Sequence, residues 1–460
     1  MKLHYQPKDG YAGDAIPFFH NGEYHIFYLK RFPQGGPYVW SHIMTKDLIN
    51  YTELEDAVKP GPEEYDIEGC WTGSAIEHQG KFYIFYTGWN PKNEIPQTVC
   101  RATSSDNIHF TKDLKNPVLV PDSRWYELKD FRDPFVFWNP EEKCFWMLVC
   151  ARSNQGPPSR RGVIALATSR DLENWKLEPP LWAPYIDFAP ECPDMFFQDG
   201  MWHILFSTFG ETLYTRHRQA RSVRGHFKSS GRIEFLDCGR CYAMKSLSDG
   251  KRRFAFGWIP TRKDNRDDGE WEWGGTLSLP REVFFSKDGI HSRYPAEYEK
   301  ILRKSPVPVK FSANIGNWKI NGSGIECMED SGFSLAWNKN IAQDFYFSAR
   351  IDFSKDIAFA GIYFKAVPDL TTGYIAGIEP RANRIFVAAT PGRREIVWRT
   401  ITLEKCSCLL EMVVDGQIVE IFLDKKYCLS CRVHNLANNG FGLFVEDGTA
   451  RFRNLFLGTL

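Results

Sequence analysis

Apolar and polar positions alternate with a period of two through most of the first three-fifths of the chain. The runs are short and rich in aromatic and aliphatic residues, and a polar turn precedes each one. The first is Asn21-Gly22-Glu23-Tyr24-His25-Ile26-Phe27-Tyr28 and the second Gln79-Gly80-Lys81-Phe82-Tyr83-Ile84-Phe85-Tyr86. Further copies start at Glu142, Asp199 and Asp249. The matched aromatic positions Tyr24, Phe82, Phe145, Trp202 and Phe254 are separated by steps of 58, 63, 57 and 52 residues. Such a run predicts a strand, and the tight polar turn before it predicts a β-hairpin. A fixed period of this kind is the signature of a repeat architecture. The step leaves room for four strands and longer loops, which is the content of one propeller blade. Five copies predict a five-bladed β-propeller. A Thr/Ser-x-Asp turn also recurs, in Thr45-Lys46-Asp47-Leu48, Thr103-Ser104-Ser105-Asp106 and Thr168-Ser169-Arg170-Asp171-Leu172. It is expected to join the third and fourth strands of a blade.

The pattern stops near residue 295. Tyr294-Pro295-Ala296-Glu297-Tyr298-Glu299-Lys300-Ile301-Leu302 reads as a short helix or an extended connector, and Ser305-Pro306-Val307-Pro308 as a stiff link. Beyond it the strands are shorter and tightly alternating, as in Phe345-Tyr346-Phe347-Ser348-Ala349-Arg350-Ile351 and Gln417-Ile418-Val419-Glu420-Ile421-Phe422-Leu423, with turn signals at Asp415-Gly416 and Asp447-Gly448. That is the signature of an antiparallel sandwich. The expected organisation is all-β: a catalytic propeller over residues 1–294, a linker over 295–310 and a β-sandwich over 311–460.

Composition narrows the chemistry. Lys plus Arg and Asp plus Glu both number 57, and no long block of like charge occurs. Nucleic acid and anionic membrane surfaces, which call for basic patches, are therefore not expected as partners. Aromatic residues make up 15% of the chain and offer flat faces on which sugar rings can stack. The N-terminus shows no apolar leader and no run of about 18 apolar residues occurs, so a cytoplasmic protein with no membrane partner is expected. In that compartment the 12 cysteines are expected to be free thiols. Cys238/Cys241 and Cys428/Cys431 have Cys-x-x-Cys spacing, yet the pairs lie far apart and no His stands at ligand spacing. They read as ordinary strand cysteines, and no metal or cofactor is expected.

The hairpin turn serves as a ruler for candidate chemistry. Asp14 lies 10 residues before Tyr24, Asp133 lies 12 before Phe145 across a longer turn, and Glu191 lies 11 before Trp202. All three fall where the first strand of a blade begins. First strands line the central channel of a propeller, so the three acids are expected to converge at one mouth. Cleaving a glycosidic bond needs a protonated carboxylic acid and a carboxylate opposite it. Crowded like charges raise one pKa and keep that acid protonated. Arg132 precedes Asp133 and could hold it ionised. Pro190 and Pro193 stiffen the segment that carries Glu191.

Phe131-Arg132-Asp133-Pro134 followed by Glu191-Cys192-Pro193-Asp194 closely resembles glycoside hydrolase family 32, the invertase, inulinase and levanase family. Cys70-Trp71-Thr72-Gly73-Ser74-Ala75, Asn116-Pro117-Val118-Leu119, Asp237-Cys238-Gly239 with Tyr242-Ala243, and Trp273-Gly274-Gly275 with Leu279-Pro280-Arg281 also look like blocks of that family, in its order. The resemblance implies a five-bladed propeller plus sandwich and a retaining mechanism. It implies Asp14 as nucleophile, Glu191 as general acid/base and Asp133 as the residue that binds fructose hydroxyls and stabilises the transition state. It also favours Trp71, Ser74 and Arg132 as substrate contacts, and Tyr242 is a further candidate contact. The block around the nucleophile departs from the family pattern. Here it is Asp9-Gly10-Tyr11-Ala12-Gly13-Asp14-Ala15, without the family's Trp and Asn, and Leu29-Lys30 stands where members tend to carry Gln. Asp9 is a rival nucleophile but lies five residues early in the register.

Trp40, Trp71, Trp258 and Trp273 sit near the expected blade loops, as sugar-stacking faces or as inter-blade core. His42 is read either as a ligand contact or as a buried, hydrogen-bonded histidine. The expected activity is retaining cleavage of β-fructofuranosidic bonds in short fructose-containing oligosaccharides, with or without transfructosylation. An inverting arabinofuranosidase and a non-catalytic carbohydrate-binding protein are the alternatives. The partner is a small carbohydrate. The sandwich is expected to pack on the propeller, with homodimer contacts as its other candidate use.

Overall fold

The computed structural model describes residues 2–62, 64–209, 213–321, 324–338, 343–435 and 439–460. Each of the five repeat copies is a hairpin. Strands β1 (Tyr11–His20) and β2 (Glu23–Arg31) flank Asn21 and Gly22, which both take positive φ (48° and 85°). Two adjacent residues with positive φ match the turn to the right-handed twist of the strands. The same turn occurs at Gln79-Gly80 and Asp199-Gly200.

Strands β3 (Val39–Thr45) and β4 (Thr52–Val58) complete a sheet in chain order with β1 and β2. A second sheet runs β5 (Gly69–His78), β6 (Lys81–Trp89), β7 (Gln97–Ser104) and β8 (Thr111–Lys112). A third runs β9 (Tyr126–Asn139), β10 (Cys144–Ser153), β11 (Gly162–Ser169) and β12 (Lys176–Trp182). A fourth has β13 (Glu191–Gln198), β14 (Met201–Thr208) and β15 (Tyr214–Ala220). The recurrent Thr/Ser-x-Asp turn joins third to fourth strands in the first three sheets. Asp47 Oδ1 accepts the backbone N–H groups of Ile49 and Asn50, and Asp106 and Asp171 repeat the pattern.

After β16 (Cys238–Gly239) come β17 (Tyr242–Ser248), β18 (Arg253–Arg262), β19 (Trp271–Leu277), β20 (Arg281–Ser286) and β21 (Gly289–Arg293). Strand β19 pairs with β18 and, through Ala12 and Gly275, with β1, so the last sheet is hydrogen-bonded to the first. The first strand of each sheet packs on the next: β1 on β5, β5 on β9, β9 on β13, β13 on β17, and β17 back on β1.

The segment between the two halves forms one short helix, α1 (Glu297–Leu302). Strands from Phe311 to Thr459 form two facing sheets whose inner faces share one apolar core, with Phe347, Ile362, Ile378, Ile421 and Leu443 fully buried in it. The small strand β16 joins one of these sheets in parallel, pairing Cys238 with Leu429 and Gly239 with Ser430. Gly239 is needed there. Its φ is 90°, and a β-carbon would lie 1.6 Å from Val397. The twelve cysteines are free, and among the described residues no group of three or more His, Cys, Asp or Glu is placed to hold a metal. Among the described residues, no helix is long and apolar enough to cross a membrane.

A buried ionic cluster fastens the two halves. Arg281 is fully buried and donates to Asp237 at 3.0 Å, to Glu420 at 2.6 Å and to Ser430 at 2.8 Å. His4 lies between Asp415 (2.8 Å) and Glu420 (3.4 Å). Burial works against a charge on His4, but the two carboxylates outweigh it and push its pKa up to about 9. Burial would likewise raise Glu420, yet Arg281 and His4 hold it down at about 2. Glu420 therefore stabilises the fold above its unfolded value of 4.5, and this is lost as pH falls toward 2. His4 stabilises it below 6.5, and this is lost as pH rises through 9. Replacing one partner leaves buried charges uncompensated, which costs about 3–5 kcal/mol. Arg281→Met should lower the denaturation midpoint accordingly in urea titrations at pH 6; an unchanged midpoint would show that the cluster does not hold the halves together.

Candidate active site

Every first strand carries a β-bulge, near its start in four of them and midway along β9, and the bulges build the site. In β1, Ala12 pairs with Lys30 and Ala15 with Tyr28, so Gly13 and Asp14 together oppose Leu29. In β5, Thr72 is the extra residue between Trp71 and Gly73. Asp133-Pro134 in β9, Cys192-Pro193 in β13 and Ala243-Met244 in β17 are the corresponding pairs. Asp133, Cys192 and Ala243 have φ of 58°, 49° and 52°. Left-handed backbone is uncommon for residues with a β-carbon and persists where the surroundings enforce it. Bulges re-aim side chains, and here they aim them at one point.

The bulge residues Asp14, Thr72, Asp133 and Cys192 form an inner ring. Thr72 Oγ1 donates to Asp14 Oδ2 at 2.5 Å, and Trp258 Nε1 donates to Asp14 Oδ1 at 2.8 Å. Asp133 Oδ2 accepts the Cys192 backbone N–H at 2.9 Å. The Cys192 thiol lies 3.8 Å from Asp14 and 3.6 Å from Asp133. One residue before each bulge stands a second set. Arg132 Nη2 donates to Glu191 Oε1 at 2.9 Å, and Tyr242 Oη donates to Glu191 Oε2. Asp14 is 9% exposed and Asp133 4%, whereas the Glu191 side chain is 20% exposed.

The ruler therefore needs one correction. The residue of β13 that corresponds to Asp14 and Asp133 is Cys192, and Glu191 stands one place ahead of it beside Arg132 and Tyr242. Applied to the second copy, the same ruler lands on Thr72, 10 residues before Phe82. A search confined to carboxylates passed over it.

Asp14, Asp133, Glu191, Arg132, Trp71, Tyr242, Trp258 and Trp273 line one cavity of about 460 Å³. Ser74 and Trp40 do not line it. Ser74 Oγ accepts the Val136 backbone N–H at 2.9 Å and ties β5 to β9. Trp40 is fully buried, and its Nε1 donates to the Trp71 carbonyl at 2.9 Å. Both support the site from behind. His42 is buried and hydrogen-bonded to His25 at 3.0 Å. Asp9 is exposed beside Lys30 and lies outside the cavity. Sequence reasoning missed Tyr38, Leu29, Phe209 and Trp271, which also line the cavity. They come from strand ends and loops whose direction the strand period does not fix.

Burial pushes the Asp14 carboxyl up to about 7, with the Asp133 charge adding to it, while the bonds from Thr72 and Trp258 favour the carboxylate. Burial also raises Glu191, the Arg132 charge pulls it back, Asp133 raises it, and Tyr242 favours its charged form. A buried group of three acids of this kind holds a proton near neutral pH, and it can both accept and donate one.

Residues 4–294 match the model of the glycosyl hydrolases family 32 N-terminal domain. The chain belongs to glycoside hydrolase family 32. Among curated family members, the raffinose invertase of Escherichia coli is 31% identical over 339 residues, a stretch covering 67% of each chain. An insoluble β-fructofuranosidase isoenzyme of Arabidopsis thaliana is 29% identical over 324 residues, 62% of this chain and 54% of that one. The chain thus spans between half and two thirds of the length of several relatives it matches. Fructan 1-exohydrolase IIa of Cichorium intybus shares the fold of this family 32 chain with a TM-score of 0.76 at 19% identity, covering 100% of this chain and 97% of its own. Sucrose-6-phosphate hydrolase of Lactobacillus gasseri gives 0.75 at 18%, covering 99% and 93%.

The raised carboxyl of Asp14 makes a stability prediction for this family 32 protein. Its folded pKa of about 7 lies above the unfolded value of 3.8, so the stability it contributes is present below pH 3.8 and lost as pH rises through 7. Asp14→Asn keeps the shape and removes the desolvated charge. The variant should melt above the wild type at pH 8, with the gap closing by pH 5. A variant that melts below the wild type at pH 8 would show that the charged Asp14 is stabilised overall.

Proposed function

We propose that the protein is a retaining β-fructofuranosidase acting on short fructose-containing oligosaccharides. The observation that carries this reading is the pairing of acids. Asp14 has both oxygens held by neutral donors that favour its carboxylate, and Glu191, the most exposed of the three acids, faces the same cavity. Asp14 attacks the anomeric carbon. Glu191 protonates the leaving oxygen and then takes the proton of the water that releases the sugar. Arg132 and Tyr242 fix the Glu191 carboxyl at the bond to be broken. Asp133, held by the Cys192 N–H, binds hydroxyls and stabilises the developing positive charge. The relatives' names agree: β-fructofuranosidase, raffinose invertase and fructan 1-exohydrolase. A Bombyx mori β-fructofuranosidase has been solved with sucrose and the Cichorium intybus enzyme with 1-kestose. A cavity of about 460 Å³ suits a short saccharide.

The architecture belongs to the same reading. We infer a five-bladed propeller over residues 1–294, a linker over 295–310 and a sandwich over 311–460. The five hairpins, the cycle of packed first strands and the two facing sheets support it.

The test is turnover of sucrose, kestose and inulin- and levan-type oligosaccharides in the presence of methanol. A retaining enzyme transfers fructose to methanol as the β-methyl furanoside, and Asp14→Ala should lower kcat by at least about 10⁴-fold. An α-methyl product would point to inversion. Fructose release that survives Asp14→Ala would remove Asp14 as nucleophile. Tyr242→Phe provides a second prediction. Its hydroxyl favours the Glu191 carboxylate, so its removal should raise the Glu191 pKa. The alkaline limb of the kcat/KM profile should then move to higher pH; a limb that stays in place would separate Tyr242 from the proton donor.

A further inference from the structure

A bulge takes backbone polar groups out of the ladder, and buried ones must be satisfied in another way. Strand β9 sends three of its N–H groups to side chains of the second sheet. Phe131 donates to Gln97 Oε1 at 3.0 Å, Asp133 to Thr87 Oγ1 at 2.8 Å and Val136 to Ser74 Oγ at 2.9 Å. Thr87 goes further. The same hydroxyl donates at 3.0 Å to the carbonyl of Thr72, the extra residue of the β5 bulge. One oxygen thus accepts the N–H of one bulge residue and donates to the carbonyl of another. A hydroxyl has one proton to give, and the branched β-carbon of threonine restricts where it can point. Thr87 is 0% exposed, so solvent does not take over either bond.

Both residues that Thr87 holds belong to the inner ring. Thr72 donates its own hydroxyl to Asp14, and Asp133 accepts the Cys192 N–H. A continuous path of hydrogen bonds therefore runs from Asp14 through Thr72, Thr87 and Asp133 to Cys192, across β1, β5, β6, β9 and β13. The peptide that Thr87 grips also joins Asp133 to Arg132, whose guanidinium donates to Glu191. We propose that Thr87 is a positioning residue: its single hydroxyl locks the bulges of β5 and β9 together and so fixes Asp14 and Asp133 relative to one reacting carbon. Thr87 itself touches no substrate in this role; it acts through Thr72 and Asp133. A displacement of 1 Å in such a constellation can cost about 100-fold in rate. The inference rests on the reading of the site as a fructoside-cleaving centre.

The test is kcat and KM of the wild type, Thr87→Val and Thr87→Ser on sucrose and kestose, with melting curves showing each protein folded at the assay temperature. Thr87→Val keeps the shape and removes both bonds. Its kcat should fall about 100-fold while KM stays within about threefold, because the two acids are misplaced in the transition state. Thr87→Ser keeps the hydroxyl and should restore kcat to within about tenfold of the wild type. A Thr87→Val protein that melts lower yet turns over within about threefold of Thr87→Ser would make Thr87 a structural residue only and overturn the proposal. So would a loss confined to KM. Where Thr87→Val does not fold, Thr87→Ala takes its place, since Ala and Ser differ by one oxygen and the same comparison decides. If the wild type cleaves fructosides and the variants match, the proposed function stands without this inference. If the wild type cleaves none, the proposed function fails and the inference falls with it.

Discussion

Asp14 and Asp133 are separated by Cys192, whose N–H donates to one and whose thiol lies within 3.8 Å of both. Two carboxylates this close, largely out of water, repel each other strongly, and neither can be charged without compensation. What surrounds them follows from that constraint. Thr72 and Trp258 donate to Asp14, Arg132 lies beside the third acid, and Lys245 is buried nearby with its ammonium on the Gly73 carbonyl at 2.7 Å. The donors come from three different sheets. The site exists only because strands distant in sequence are held in fixed positions against one another.

The bulges meet that requirement. An unbroken strand alternates its side chains between two faces and cannot turn two neighbours toward one point. A bulge sets two residues against one, as Gly13 and Asp14 stand against Leu29, and swings the extra side chain inward. In β9 and β13 the cost is a left-handed residue with a β-carbon. Prolines follow at 134 and 193, where the ladder is already broken and a missing N–H is harmless. The bulges of β9 and β13 thus each yield two useful positions: Asp133 and Cys192 on the inner ring, and Arg132 and Glu191 just before it, where Tyr242 of β17 meets them.

This explains what could be read from the sequence and what could not. The hairpins were legible because their turn chemistry is local, as at Asn21-Gly22 and Asp199-Gly200. The acids were legible because a ruler measured from those turns reaches the start of the first strand. The count itself reaches Cys192, 10 residues before Trp202 as Asp14 is before Tyr24; Glu191 stands at 11, and preferring a carboxylate set the reading one place off. The bulge separates Thr72, whose hydroxyl reaches Asp14, from Ser74, whose hydroxyl braces β9. Trp40 and Trp71 look alike in sequence. One is sealed behind the other, and only the packing of the first sheet on the second decides which faces the cavity.

A site of this kind draws on stability made elsewhere. The desolvated acids favour unfolding at neutral pH, so the compensation lies in the strand ladders and in the junction between the two halves. Arg281 is part of that compensation. It lies four residues after the end of β19, the strand that closes the last sheet onto the first, and it is locked to Asp237 and Glu420. Through β19 the ionic cluster reaches Trp273 and, through Trp273, the backbone of Gly13 beside Asp14. The second group of sheets therefore does more than cap the first. It anchors the strand that carries Trp273, so a loosened junction would be felt at the backbone beside Asp14.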